Sequence, residues 1–395
     1  MIKKSGLPVR YWVGFFCLKS AVGCYYGYWY SRPQQIASSD TWRFHAQAFE
    51  EYKLLLNRPA SYFVNLLENP YNSWEGVLAS RGYWNNLKDN LMVKIISLLN
   101  ILSGGHYYVN VVIYSFITFW AFLFFYLSCR NLLNKTPGVL TTATILLTPS
   151  CLFWTSGIHR DGLVFLFLAL SIWQSTKPGL RQGLIISLAI IILSITGIFL
   201  FRNYLAILLI PPLAAYFIVA QSKIRPYLVY TATAFVFISL FFLSPVISAK
   251  MNLPAALIAR KMAFEKLEGT SRLPYMDLTA NVKSFAVNFL KAIDHSLLRP
   301  YWWEAKNLTE KVASLEILFI LLIIVTSSVF RKKLVEPDVI RFQWMIVFFC
   351  FCTLLVIGYT IPFAGAIVRY RAIFLMLMLS TLSLSVPDKI RKILI

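Results

Sequence analysis

The chain has 395 residues, of which 58% are hydrophobic, 16% aromatic and only 14% charged. Soluble domains average about 45–50% apolar and about 25% charged residues, so the composition excludes an ordinary soluble domain and indicates a membrane protein. A formal net charge of +21 points to nucleic acid in a soluble protein; here basic short loops beside anionic headgroups account for it, and no basic run is interleaved with base-stacking aromatics, so nucleic acid is not an expected partner.

Lys3 and Lys4 lead into an apolar stretch over 9–30 that is interrupted by Lys19. No small-x-small cleavage site precedes Tyr25-Tyr26-Gly27-Tyr28-Trp29-Tyr30, so the stretch reads as an uncleaved anchor. A long polar connection then occupies 31–105. It opens on Ser38-Ser39-Asp40-Thr41-Trp42-Arg43-Phe44-His45, and Phe44, Ala48, Phe49, Tyr52, Leu55 and Leu56 follow at helical spacing. Ser38, Ser39 and Asp40 all suit the N-cap of that helix. As the other reading, Asp40 is a carboxylate able to take a proton from an acceptor hydroxyl, with Arg43 and His45 close enough in sequence to tune it. Residues 91–99 are amphipathic and too short to span, so they are expected along the membrane surface.

Hydropathy places further spans at about 106–128, 138–155, 161–176, 183–200, 203–220, 227–247, 314–330, 342–360 and 371–386, with a second long connection at 248–313. The fold class expected is therefore an all-α polytopic membrane protein of about ten transmembrane helices and two large outer loops, forming a single domain over 1–395. Lys3, Lys4, Arg10, Arg130, Lys135, Lys177, Arg181, Lys223, Arg225, Arg331, Lys332, Lys333, Arg341, Lys389, Arg391 and Lys392 gather on one side. The short turns of the other side hold only Arg160, Arg202, Arg369 and Arg371. The positive-inside rule then puts both termini in the cytoplasm and both long connections outside. Most Asp and Glu residues fall on that outer side, where chemistry needing carboxylates is expected.

Three outer turns carry charge. Thr155-Ser156-Gly157-Ile158-His159-Arg160-Asp161-Gly162 places three ionisable residues in a row at a membrane boundary, a costly arrangement. His159 and Arg160 suit an anionic headgroup, with Asp161 orienting one of them; the plain alternative is a charged turn in which Asp161 caps the next helix and Arg160 snorkels. Arg369-Tyr370-Arg371 follows a Pro- and Gly-containing break at 361–368, and paired guanidinium groups suit phosphate oxygens. Arg202 in Phe201-Arg202-Asn203-Tyr204 is a fourth outer-edge cation, and the second loop adds Leu298-Arg299-Pro300-Tyr301-Trp302-Trp303-Glu304. The six cysteines lie in or beside apolar segments and read as small core residues. No P-loop, nucleotide fingerprint, HExxH or GxSxG motif is present.

An apolar first helix, an outer loop opening with an aspartate, and many spans with basic outer turns together resemble the GT-C superfamily of membrane glycosyltransferases. The similarity is greatest to the bacterial protein-mannosyltransferase-like and aminoarabinose-transferase-like branches. The 156–162 turn, Leu298-Arg299-Pro300 and Arg369-Tyr370-Arg371 also look like elements of bacterial multi-span proteins in that grouping. The resemblance implies transfer of a sugar from a polyprenyl-phosphate donor to a glycan, lipid or protein acceptor on the periplasmic side of the bacterial inner membrane. It implies Asp40 as general base and Arg160, Arg202, Arg299, Arg369 and Arg371 around the donor phosphate, so that Arg369→Ala or Arg371→Ala weakens donor binding and leaves folding near normal. Family members often carry paired acids in the first loop. This chain has Ser39-Asp40-Thr41, with Glu50-Glu51 ten residues on, so participation of a divalent metal stays open and no cofactor is required. A lipid-linked oligosaccharide polymerase or ligase, and a flippase for lipid-linked sugars, are the alternative expectations.

Overall fold

The computed structural model describes residues 1–36, 39–64, 81–177, 183–222, 224–248, 251–267, 271–305, 308–329 and 336–386. The described chain is all-α. Its helices are α1 (Val9–Tyr30), α2 (Pro33–Ile36), α3 (Asp40–Asn57), α4 (Pro59–Val64), α5 (Arg81–Ser103), α6 (Tyr107–Leu133), α7 (Val139–Leu147), α8 (Pro149–Ser156) and α9 (Arg160–Ser175). After these come α10 (Leu184–Gln221), α11 (Pro226–Ile247), α12 (Leu253–Glu265), α13 (Val282–Val287), α14 (Phe289–Ile293), a π-helical turn (Asp294–Leu298), α15 (Leu308–Val329), α16 (Pro337–Thr360) and α17 (Ala364–Ser383). No strand occurs among the described residues, which hold one isolated bridge between Arg272 and Phe363.

Among the described residues five helices (α6, α10, α11, α16 and α17) are long and apolar enough to cross a membrane, or six crossings if the bent pair α7–α8 is counted as one. The bend in that pair follows from Pro149, whose ring disfavours helical backbone at Thr148 (ψ 112°). The two spans expected at 183–200 and 203–220 form one 38-residue stretch, α10, in which Arg202 leaves the helical conformation (φ −147°, ψ 80°). At about 57 Å, this stretch exceeds the length of one crossing of a core of roughly 30 Å, and it counts as one span.

The chain divides into two compact units, Met1–Ser128 with Leu152–Asn203, and Cys129–Cys151 with Tyr204–Ile395. In the first unit, Trp12 of α1 packs edge-on to Phe119 and Tyr126 of α6. Gly23 lets α1 approach the end of α8: a Cβ there would meet the Ser156 carbonyl at 2.7 Å and Val111 at 2.8 Å. Beside that contact Lys19 is fully buried, and its ammonium donates to the Thr155 carbonyl (2.7 Å) and Ser156 Oγ (3.2 Å). A cation at the last carbonyls of a helix is favoured by the helix dipole. The stretch at 91–99 belongs to the 23-residue α5, which packs on α3. Asn100 donates to the Ala48 carbonyl (3.1 Å), and Lys94 pairs with Glu51 (2.5 Å).

In the second unit α16 and α17 pack together, and Gln343 donates to the Thr381 carbonyl (3.0 Å) and Ser385 Oγ (2.7 Å). Thr141 of α7 shares a 2.7 Å hydrogen bond with Ser383. Glu316 of α15 is buried and accepts from the amide and hydroxyl of Ser150. Met276, Leu278, Phe285, Ala292 and Tyr359 form a further core cluster, and the Tyr359 hydroxyl donates to the Phe285 carbonyl (2.7 Å).

Candidate functional site

The first unit gathers charged side chains from four separate segments. Ser39 takes the N-cap position of α3 without a side-chain cap bond, and Asp40 is the first residue of the helix. Its carboxylate therefore stands at the positive end of the helix dipole. Asp40 Oδ1 accepts from Arg43 one turn on, at 3.1 Å. Asp40 Oδ2 lies 3.5 Å from His159 Nε2, with the aspartate side chain 30% exposed and the imidazole fully buried.

His159, rather than Asp161, is the N-cap residue of α9. Its Nδ1 lies 2.9 Å from Asp161 Oδ2 and 3.2 Å from the Asp161 amide nitrogen. These two contacts need opposite protonation of one nitrogen. The shorter contact, to a charged acceptor, defines Nδ1–H as the donor. The Asp40 contact then becomes an ion pair when the ring carries its second proton. The other oxygen of Asp161, whose side chain is 5% exposed, is bound by Arg202 at the break in α10. The Tyr114 hydroxyl donates to the His159 carbonyl (2.5 Å). That contact and the Lys19 anchor on Thr155 hold the turn from both sides.

Asp89 of α5 completes the group. It meets Arg160 at 2.9 Å and Arg43 at 3.2 Å. Carboxylates thus alternate with guanidinium groups and the imidazole through Arg202, Asp161, His159, Asp40, Arg43, Asp89 and Arg160. Phe44 lies beneath two of the guanidinium groups, Arg43 at 5.0 Å and Arg160 at 5.6 Å. Asp89 was not legible as a site residue, because an acid near the start of an amphipathic helix reads as a solvated position.

His45 is not part of this group. Five residues beyond Asp40 it points to another side of α3, edge-on to Trp42 (5.9 Å) and Tyr107 (5.2 Å). Its Nδ1 is buried without a hydrogen-bond partner, and burial pushes the imidazole below its ordinary pKa.

The second unit holds the other three arginines. Arg299 donates to Asp294 Oδ2 (2.7 Å) and Glu304 Oε1 (2.5 Å), and the Tyr301 hydroxyl donates to Asp294 Oδ1 (2.5 Å). Burial acts to raise the Asp294 carboxyl, but the bonds from Tyr301 and Arg299 outweigh it and hold the group below its ordinary value. Arg371 is 1% exposed, and its Nη1 donates to the carbonyls of Ser296 (2.9 Å) and Arg299 (2.5 Å). Its geometry is that of a clamp on the π-helical turn. Arg369 is half-buried, with its guanidinium 5.8 Å from the Tyr370 ring. Asp294, Glu304 and Glu316, all partners of these arginines or close to them, had no signal beyond charge in a long loop or span edge.

Among the described residues no three His, Cys, Asp or Glu side chains form a group able to hold a metal. Around Asp40 each carboxylate faces a guanidinium or the imidazole. Chemically, the arrangement offers a partly exposed carboxylate braced by a buried imidazole, with guanidinium groups alongside that can meet an oxyanion. No protein-family model, curated protein or solved structure matches the chain.

Proposed function

We propose that the protein is a membrane glycosyltransferase that moves a sugar from a polyprenyl-phosphate donor to an acceptor hydroxyl, with Asp40 as the base. In this reading the chain crosses the membrane about ten times, with α1 as the first crossing. Both termini are cytoplasmic, and the Asp40 cluster and both long connections face the exterior. The acceptor oxygen attacks the anomeric carbon, the bond from that carbon to the phosphate oxygen breaks, and the hydroxyl proton passes to Asp40. Charge developing on the departing phosphate is met by Arg160 and Arg43, whose present counter-ion is Asp89.

The observation that carries the reading is the placing of a partly exposed carboxylate and several guanidinium groups in one cluster, drawn from α3, α5, the start of α9 and the break in α10. A base and a phosphate-binding cation are the two functions such a transfer needs.

The test uses purified protein in detergent with a panel of undecaprenyl-phosphate sugars and a cell-envelope extract supplying glycan, lipid and protein acceptors, following release of undecaprenyl phosphate. Wild-type protein turns over at least one donor, and Asp40→Asn lowers the rate at least about 100-fold, as loss of a general base does. Full turnover by Asp40→Asn would exclude the mechanism, and a polymerase or ligase would become the better reading. Donor binding without release would point instead to a flippase.

A further inference from the structure

The second unit contains a cavity of about 280 Å³ whose mostly apolar lining includes Lys261, Glu265, Arg272, Tyr275, His295 and Tyr359. That volume far exceeds the roughly 30 Å³ share of one water molecule and approaches the range of about 300–1,000 Å³ usual for ligand sites. The walls come from the end of α12, the segment after it, the π-helical turn and the end of α16. Gly358 at the last of these permits the close approach, since a Cβ there would run into the Ala292 carbonyl.

Hydrogen-bond donors in this cavity outnumber acceptors. Lys261 is 6% exposed and gives one of its three N–H bonds to Glu265 (2.6 Å). Arg272 uses Nη2 alone, on the carbonyls of Glu265 (3.0 Å) and Leu267 (3.4 Å), so Nε and Nη1 are not engaged there. His295 is 4% exposed, and its imidazole has no hydrogen-bond partner among the described residues although it lines the cavity. The imidazole is thus available to a molecule in the cavity. Two cations against one carboxylate leave the cavity net positive.

We propose that this cavity binds a phosphate-bearing anion, with Arg272, Lys261 and His295 donating to the phosphate oxygens. Several acceptor oxygens on one tetrahedral group match the several donors that line the cavity. The ring of Tyr275, 4.6 Å from Lys261 Nζ, forms a wall beside the charged head. The assignment does not depend on the transferase reading, and the residues that carry it lie outside the Asp40 cluster.

The experiment measures binding to the full chain in detergent, by phosphorus NMR line broadening and by thermal shift, with two probes. Inorganic phosphate tests a free anion, and dihexanoyl phosphatidic acid tests the same group borne on a lipid. Saturable binding of either probe is expected, and the probe that binds identifies the source. Arg272→Gln removes an exposed side chain and leaves the fold intact; it is expected to weaken binding at least about 10-fold, as is His295→Gln. Absence of saturable binding to wild-type protein by both probes would overturn the assignment. So would unaltered affinity in Arg272→Gln, or in a His295→Gln protein that retains the wild-type melting profile.

Discussion

Replacing Arg371 by alanine tests the structure where it differs most from expectation. An arginine beside a membrane-edge tyrosine reads as a surface group whose loss affects ligand binding only. In the structure the side chain is buried and spans two backbone carbonyls, those of Ser296 and Arg299, between α17 and the π-helical turn. Arg371→Ala leaves both carbonyls without this donor, and an orphaned buried polar group costs about 1–3 kcal/mol. With two carbonyls affected, the loss comes to about 2–6 kcal/mol. At roughly 2 °C per kcal/mol for a chain of this size, the melting midpoint should fall by about 4–12 °C. Arg371→Lys retains the charge but not the planar fork, and should fall between the two. The assay is thermal unfolding of detergent-purified protein, read as loss of the monodisperse species on size exclusion. An Arg371→Ala protein that melts within about 1 °C of wild type and fails to bind donor would refute the clamp and return Arg371 to the phosphate site.

His45→Phe should leave both stability and turnover unchanged or slightly improved. It keeps the ring contacts with Trp42 and Tyr107 and removes a buried nitrogen that has no partner; lost turnover would put His45 back in the site. Asp294→Asn should flatten the acid limb of stability. The wild-type carboxyl titrates below its ordinary value, so its contribution is complete above the unfolded value of about 3.9 and is lost as pH falls through the lowered folded one. Melting temperatures taken from about pH 5 down to pH 3 should therefore converge for the two proteins; parallel curves would contradict the assignment.

The all-α character and several of the long apolar helices were legible because apolar length is a local property. The helices at 9–30, 107–133, 226–247 and 337–360 lie where hydropathy puts spans. The site was legible only as fragments. Asp40, Arg43, His159, Arg160, Asp161 and Arg202 each stood out by charge at a membrane edge, but nothing in their spacing says that His159 bridges two aspartates. His45 was separable in principle, since five residues along a helix turn a side chain well away from the first. Asp89 was hidden because its role depends on α5 packing against α3, a tertiary contact made by residues such as Asn100 and Ala48. Arg371 was misread for a related reason, since hydropathy reports the position of a guanidinium along a helix but not the carbonyls it meets.

The lysine buried in α1 bears on the order in which the protein is made. In the proposed topology α1 is the first crossing and carries Lys19 at its middle, where a lysine costs about 2.5–3.5 kcal/mol on insertion scales. The Thr155 carbonyl and Ser156 hydroxyl that receive this ammonium are synthesised long after α1. In that topology the first helix gains the partners of its buried cation only once the turn that carries His159 has been made. Chains truncated before residue 155 should accordingly integrate α1 inefficiently in a microsomal insertion assay, and Lys19→Leu should relieve the defect. Equal integration of truncated and full-length chains would show that α1 enters without waiting for its later partner.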